Sequence, residues 1–176
     1  GASRVVSGGA DPAASLEEAL SCWMGTPAVL VFPSGYQANL GVLSALTGPG
    51  DVIYYDARNN ASLIDGCRLS GATIRVYPHR DIEALELLMR RGSPGCGERF
   101  VVTDTLFSMS GALAPMARLA ALCERFSATL IADEAHAMGV LGPSGTGVAA
   151  AEGVLPCVRI GTFSKALGSL GAFVAT

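Results

Sequence analysis

Leu130-Ile131-Ala132-Asp133-Glu134-Ala135-His136-Ala137-Met138-Gly139 is the stretch on which the fold turns. Three apolar residues run directly into two carboxylates and a histidine. That is the composition of a buried parallel strand whose carboxyl end opens onto a ligand crevice. The same letters also occur at the acidic strand end of a nucleotide-driven helicase, so the neighbouring segments have to decide between chemistries.

Outward from this stretch, short apolar runs recur at 28–32, 51–56, 73–78, 100–104, 128–133, 158–162 and 172–175. They read as buried strands. Between them lie segments with helical spacing, such as Leu113, Met116, Leu119, Leu122, Cys123 and Phe126, which put an apolar stripe on one side of a helix. Ser15-Leu16-Glu17-Glu18 has the form of a capping box opening a helix to about Met24. Asp81 can cap a helix over 82–91, and another helix begins at Tyr36 and runs to Leu46. Apolar strands alternating with amphipathic helices predict an α/β fold, a mostly parallel central sheet with helices on both faces. No repeat or low-complexity tract interrupts the pattern. The loop-like clusters at 90–95 and 139–147 are too short to link domains, so 1–176 reads as one layered unit.

Composition narrows the function. A net charge of −3 with 15% charged residues leaves no basic stripe for a phosphate backbone, which speaks against nucleic acid. The five cysteines (Cys22, Cys67, Cys96, Cys123, Cys157) are scattered and include no Cys-x-x-Cys pair, so neither a disulfide framework nor a metal site is indicated and a reducing compartment is expected. Mean hydropathy is +0.43, yet no run approaches the roughly 20 apolar residues of a membrane span. A soluble, cytoplasmic protein is expected. The chain opens on Gly1 and closes just after an apolar strand, and it reads as a fragment whose missing N-terminus could have carried an organelle address.

A phosphate-binding loop should precede an acidic strand and carry a lysine. Gly142-Pro143-Ser144-Gly145-Thr146-Gly147 follows the strand and has none, which removes the helicase reading. A serine hydrolase with Ser34 as nucleophile and His136 as base lacks the Gly-x-Ser-x-Gly elbow, and only His79 and His136 are available as histidines. Of the two, His79 reads as a surface residue, and Trp23 reads as core. What remains is a set of groups at predicted strand ends: Gly35, Ser108, Asp133, His136, Thr162 and Lys165. Lys165 is the only lysine in the chain, and it follows a strand among small, apolar and hydroxylated neighbours, a setting for a desolvated amine able to form an imine. An imine lysine with a strand-end aspartate suggests pyridoxal 5′-phosphate, whose ring nitrogen needs a carboxylate partner to stay protonated. Asp133 can supply it. His136 can bond the ring hydroxyl, and Gly35-Tyr36 opens a helix whose amides suit a phosphate.

These residues sit in longer motifs: residues 1–8, Phe32-Pro33-Ser34-Gly35-Tyr36-Gln37-Ala38-Asn39, Leu106-Phe107-Ser108-Met109, Asp133-Glu134-Ala135-His136 and Thr162-Phe163-Ser164-Lys165-Ala166-Leu167-Gly168. In this order they resemble the α-oxoamine synthases, fold-type I pyridoxal-phosphate enzymes that include 8-amino-7-oxononanoate synthase and serine palmitoyltransferase. The resemblance implies that the chain is part of the large, cofactor-binding domain of a class I/II aminotransferase-like fold, without the small C-terminal domain. It implies that Lys165 carries the cofactor as an imine and later moves the α-proton, that Asp133 pairs with the ring nitrogen, and that His136 and Ser108 contact the ring hydroxyl region. Gly35, Tyr36 and Thr162 would bind near the phosphate. The implied reaction joins an amino acid to an acyl-CoA or acyl carrier protein, usually with decarboxylation, and the implied assembly is a homodimer with its active site at the interface.

The departures are specific. Asn60 stands where the family usually has a histidine stacked on the cofactor ring, so Asn60 serves as a cofactor contact, as a cap of the following helix, or as both. Members commonly have a histidine near Ala14, aspartate at Ser110 and arginine at Thr146. An unusual substrate follows as an expectation: a condensing domain of a polyketide-type or toxin pathway, with a carrier protein and an amino acid other than alanine. A non-catalytic partner subunit is the competing reading, and the presence of Lys165 argues against it.

Overall fold

The computed structural model of the chain describes residues 11–92 and 97–176; the resembling stretch 1–8, Cys96 and residues 93–95 of the 90–95 loop lie outside the described residues. The elements are α1 (Asp11–Met24), β1 (Val29–Phe32), α2 (Gly35–Leu46), β2 (Val52–Asp56), α3 (Ala61–Leu69), β3 (Thr73–Tyr77), α4 (Ile82–Arg91), β4 (Arg99–Asp104), α5 (Met116–Arg125), β5 (Thr129–Asp133), α6 (Val148–Ala151), β6 (Val158–Thr162) and β7 (Ala172–Ala175). The strands form one sheet in the order β1-β7-β6-β5-β4-β2-β3. Only β7 runs against its neighbours; every other pairing is parallel.

Alternation along each strand sorts its side chains onto two faces. On one face Ile53, Val102, Ile131 and Ile160 pack with Ala38 and Leu43 of α2 and with Leu63 of α3. On the other, Tyr54, Val101 and Leu130 meet Leu85 and Met89 of α4 and Leu119 and Leu122 of α5. Phe173 and Ala175 meet Leu20 and Met24 of α1. The predicted α/β layering is therefore present. β2, β4, β5, β6 and β7 are buried nearly throughout. The two edge strands are not: Arg75 and Val76 of β3 and Leu30 of β1 are exposed. Each edge has a partner on one side only, so half of its surroundings is solvent.

Three local expectations are corrected. The chain is already helical at Asp11, so Ser15 lies inside α1 and caps nothing. α5 begins only at Met116, with Pro115 as its N-cap residue. A residue preceding proline is pushed out of the helical region, and Leu113 instead bridges Leu106. His79 is half-buried, its Nδ1 2.9 Å from Asp56 Oδ1 and its ring edge-on to Phe107. Trp23 is partly buried against the α1 cluster, and its Nε1 donates to Ser144 O at 2.9 Å. Asp81 caps α4 as expected, accepting from Ala84 N at 2.8 Å.

Candidate active site

The carboxyl ends of β4, β5 and β6 lie side by side, and the parallel register puts Asp104 opposite Asp133. Asp133 is 3% exposed. Its Oδ1 accepts from Ala135 N at 2.9 Å, while Oδ2 accepts from Asn39 Nδ2 at 2.8 Å and Asn60 Nδ2 at 3.0 Å. A carboxylate offers about four acceptor positions, so one is left for a further donor. Nearby Asn39 Oδ1 is buried without a partner among the described residues.

Glu134 takes the opposite direction, which settles the ambiguity of the acidic strand end. It is fully buried and accepts from Thr105 Oγ1 at 2.6 Å, Val148 N at 2.9 Å and Ala149 N at 2.8 Å, so its carboxylate closes the start of α6. Burial pushes the Glu134 carboxyl above its ordinary range, against the pull of these donors. The two carboxylates thus have separate tasks, one facing a cleft and one holding the fold. Gly147 lies beneath Glu134 with φ +104°, and a Cβ there would fall 2.5 Å from the carboxylate. Gly147→Ala is expected to destabilise by about 2 kcal/mol through overpacking alone, which in a chain of this size lowers Tm by about 4–8 °C. Thermal unfolding followed by circular dichroism checks it.

Asp133 opens onto a cleft of about 410 Å³ whose lining includes Gly35, Tyr36, Asn39, Asn60, His136, Thr162 and Lys165. The volume falls in the range of about 300–1,000 Å³ typical of small-molecule sites. A hollow of about 390 Å³ beside β1 is lined by Val29, Leu30, Val42 and Val174 and has no titratable group to do chemistry. At the mouth of the cleft, Ser34 caps α2 by accepting from Gln37 N at 3.2 Å, which ties up the hydroxyl a hydrolase would use as nucleophile. The first amides of a helix have no intrahelical acceptor, and Gly35 and Tyr36, the first two residues of α2, line the cleft. The Thr162 hydroxyl donates to Gly171 O at 3.0 Å and lies 2.8 Å from Ser164 Oγ, which fixes the start of the loop that carries Lys165. Burial, followed by the charge of Lys165, depresses the His136 imidazole, while Asp133 pulls the other way.

Of the residues expected at the site, Gly35, Tyr36, Asn60, Asp133, His136, Thr162 and Lys165 are brought together. Ser108 is not; it lines a neighbouring hollow with Arg58 and Phe107. The expectation of a desolvated amine is corrected as well, because Lys165 is solvent-exposed. It stands on the loop 163–171, of which residues 164–170 are exposed. Thr146 closes its own turn by donating to Pro143 O at 2.7 Å. Asn39 and Asp104 were missed by sequence reasoning. Asn39 lies one helical turn after Gly35, and Asp104 ends a predicted strand as Asp133 does, which was the available signal. Among the described residues no helix is long and apolar enough to cross a membrane, and no group of three or more His, Cys, Asp or Glu could hold a metal ion.

The comparisons agree with this fold. The chain is 51% identical to 8-amino-7-oxononanoate synthase of Geobacter metallireducens over 99% of its own length and 45% of the relative's, so it spans a little under half of that protein. Among solved structures it superposes on serine palmitoyltransferase from S. paucimobilis, determined with a bound PLP–myriocin aldimine, with TM-score 0.94 and 36% identity over 99% of this chain and 44% of that one. It also superposes on 8-amino-7-oxononanoate synthase from Francisella tularensis, with TM-score 0.82 and 32% identity over 96% and 48% of the two chains. The family model for class I and II aminotransferases matches residues 2–176, and the chain belongs to that family.

Proposed function

We propose that the protein is a pyridoxal 5′-phosphate-dependent acyltransferase that condenses an amino acid with an acyl thioester, in a Claisen-type and usually decarboxylative reaction, to an α-oxoamine, as 8-amino-7-oxononanoate synthase does. The observation that carries the reading is the convergence of Asp133, His136 and Lys165 on one cleft beside the N-terminus of α2. The residues fit the cofactor on chemical grounds: Asp133 retains an open acceptor position, the buried Asn39 Oδ1 lacks a partner, and the amides at the start of α2 suit a phosphate. When bound, the cofactor supplies an electron sink that stabilises negative charge at the amino acid's α-carbon.

The chain's own residues divide the work. Lys165 would hold the cofactor through its amine and is placed on the cleft to move the proton at the substrate α-carbon. Asp133, held by three N–H donors, keeps a proton on the ring nitrogen. His136 would hydrogen-bond the ring hydroxyl. Gly35 and Tyr36 would hold the phosphate through the helix amides, and Thr162 steadies the Lys165 loop. Asn60 favours a second reading of the substrate: with an amide in place of a ring over the cleft, the amino acid differs from alanine and an acyl carrier protein replaces coenzyme A. The same reading carries a cytoplasmic homodimer; unpaired Cys22, Cys67, Cys123 and Cys157 suit a reducing compartment.

Absorption spectroscopy tests the core of this reading. Added pyridoxal phosphate is expected to give the protein a band near the visible edge that shifts with an amino acid and is lost in Lys165→Ala. A parent protein that stays colourless, or a variant that keeps the band, defeats the reading.

A further inference from the structure

Asp104 and Asp133 end adjacent parallel strands in direct register, both almost wholly buried. Like charges paired across strands destabilise a sheet, so something must hold the two together. That role falls to one side chain. Asn60 Nδ2 donates to Asp104 Oδ1 at 2.7 Å and to Asp133 Oδ2 at 3.0 Å, one amide hydrogen for each carboxylate. Its backbone N–H adds a bond to Asp104 Oδ2 at 2.6 Å. The amide cannot be turned around, because Asn60 Oδ1 caps α3 by accepting from Leu63 N at 3.2 Å and also accepts from Ser62 Oγ at 2.5 Å. A flipped amide would present oxygen to two carboxylates and nitrogen to a backbone donor.

We propose that Asn60 and Asp104 are a positioning pair behind Asp133: the Asn60 amide aims the Asp133 carboxylate at the cleft, and Asp104 sets how much negative charge stands behind the cofactor's ring nitrogen. The proposal deepens the pyridoxal phosphate reading and rests on it. Asp104 does not line the cleft, so it acts through Asn60 and Asp133. The charged groups acting on it are Asp133 of β5 and Lys165 of the loop after β6; from the start of α3 it faces the uncharged Asn60. Burial first, and then the charge of Asp133, raise its carboxyl to about 7, with the donors of Asn60 opposing. Asp104 therefore keeps its proton to higher pH than an ordinary aspartate, and its ionisation strengthens the hold on a proton at the ring nitrogen.

Folding raises this acid, which fixes the sign of its linkage to stability. The native state keeps a proton that the unfolded chain releases near pH 3.9 or so. The stabilisation is whole below that pH and fades as pH climbs through about 7. Glu134 contributes in the same direction, so the comparison is between parent and Asp104→Asn. Urea unfolding of the full chain from pH 4 to 8 should show a fall in stability that is shallower in Asp104→Asn; equal slopes overturn the proposal. With pyridoxal phosphate bound, the absorbance of the parent should change through an inflection near neutrality that is lost in both Asp104→Asn and Asn60→Ala; an inflection that persists in them overturns it. A parent that binds no cofactor sinks the cofactor reading, whereas the unfolding comparison still judges the coupling of Asp104. Should Asp104→Asn fail to fold, carboxyl-carbon NMR of the aspartates in the parent replaces it: one resonance titrating near pH 7 supports the pair, and none doing so refutes it.

Discussion

Asp133→Asn is expected to lower kcat for the proposed condensation by about three orders of magnitude while leaving the fold intact. Opposite charges about 4 Å apart at an effective dielectric of about 20 attract by roughly 4 kcal/mol, and each 1.36 kcal/mol or so of lost barrier-lowering is a factor of ten in rate. An asparagine fills the same space, and its oxygen can still accept from Asn39 or Asn60, but it brings no charge to hold a proton on the ring. The loss should fall on kcat more than on KM, because the charge matters most when electrons flow towards the ring. Steady-state kinetics of the full-length protein with an amino acid and an acyl thioester, beside far-ultraviolet circular dichroism, make the check. A loss below about tenfold would mean that less than roughly 1.4 kcal/mol was at stake and that the ring nitrogen has another partner.

That Asp133 could be singled out at all reflects what local sequence encodes. All seven strands were legible because each reads as a short, mainly apolar run of strand length, and Asp133 and Lys165 stood out because they end or closely follow such runs. The sequence does not show which strands lie at the edge; β1 and β3 carry the same apolar signature as the centre and are half in solvent. Nor does it show burial of a loop residue, since that depends on what packs over it, and so the dry setting expected for Lys165 is not found. The bridging role of Asn60 was only half legible. Its capping of α3 is a matter of neighbours in sequence, but its bonds to Asp104 and Asp133 span 44 and 73 residues and arise only once the parallel register is set. Asn39, 94 residues from Asp133, became visible for the same reason.

The largest expected effect on stability belongs to the other half of the Asp133-Glu134 pair. Glu134→Ala should cost about 3–5 kcal/mol, the range for removing one side of a buried charged network. Three donors lose an acceptor at once: the Thr105 hydroxyl and the amides of Val148 and Ala149. The hydroxyl can fall back on Asp133 O, 3.1 Å away, but the two amides are buried without a substitute, and an unsatisfied buried donor costs about 1–3 kcal/mol. Arg159 deepens the loss. It is 1% exposed, its Nε has no partner among the described residues, and the nearby Glu134 carboxylate favours its charge. Its remaining bond, to Met24 O at 2.7 Å, ties α1 to the sheet, so loosening this guanidinium should loosen that helix too. Glu134→Gln separates charge from hydrogen bonding: it keeps one acceptor oxygen but places an amide against a donor, and should lose less than alanine does. Chemical denaturation of parent and both variants at pH 7 reads the ranking directly. If Glu134→Ala unfolds within about 1 kcal/mol of the parent, water must reach these donors, and the burial on which this network depends is not maintained in solution.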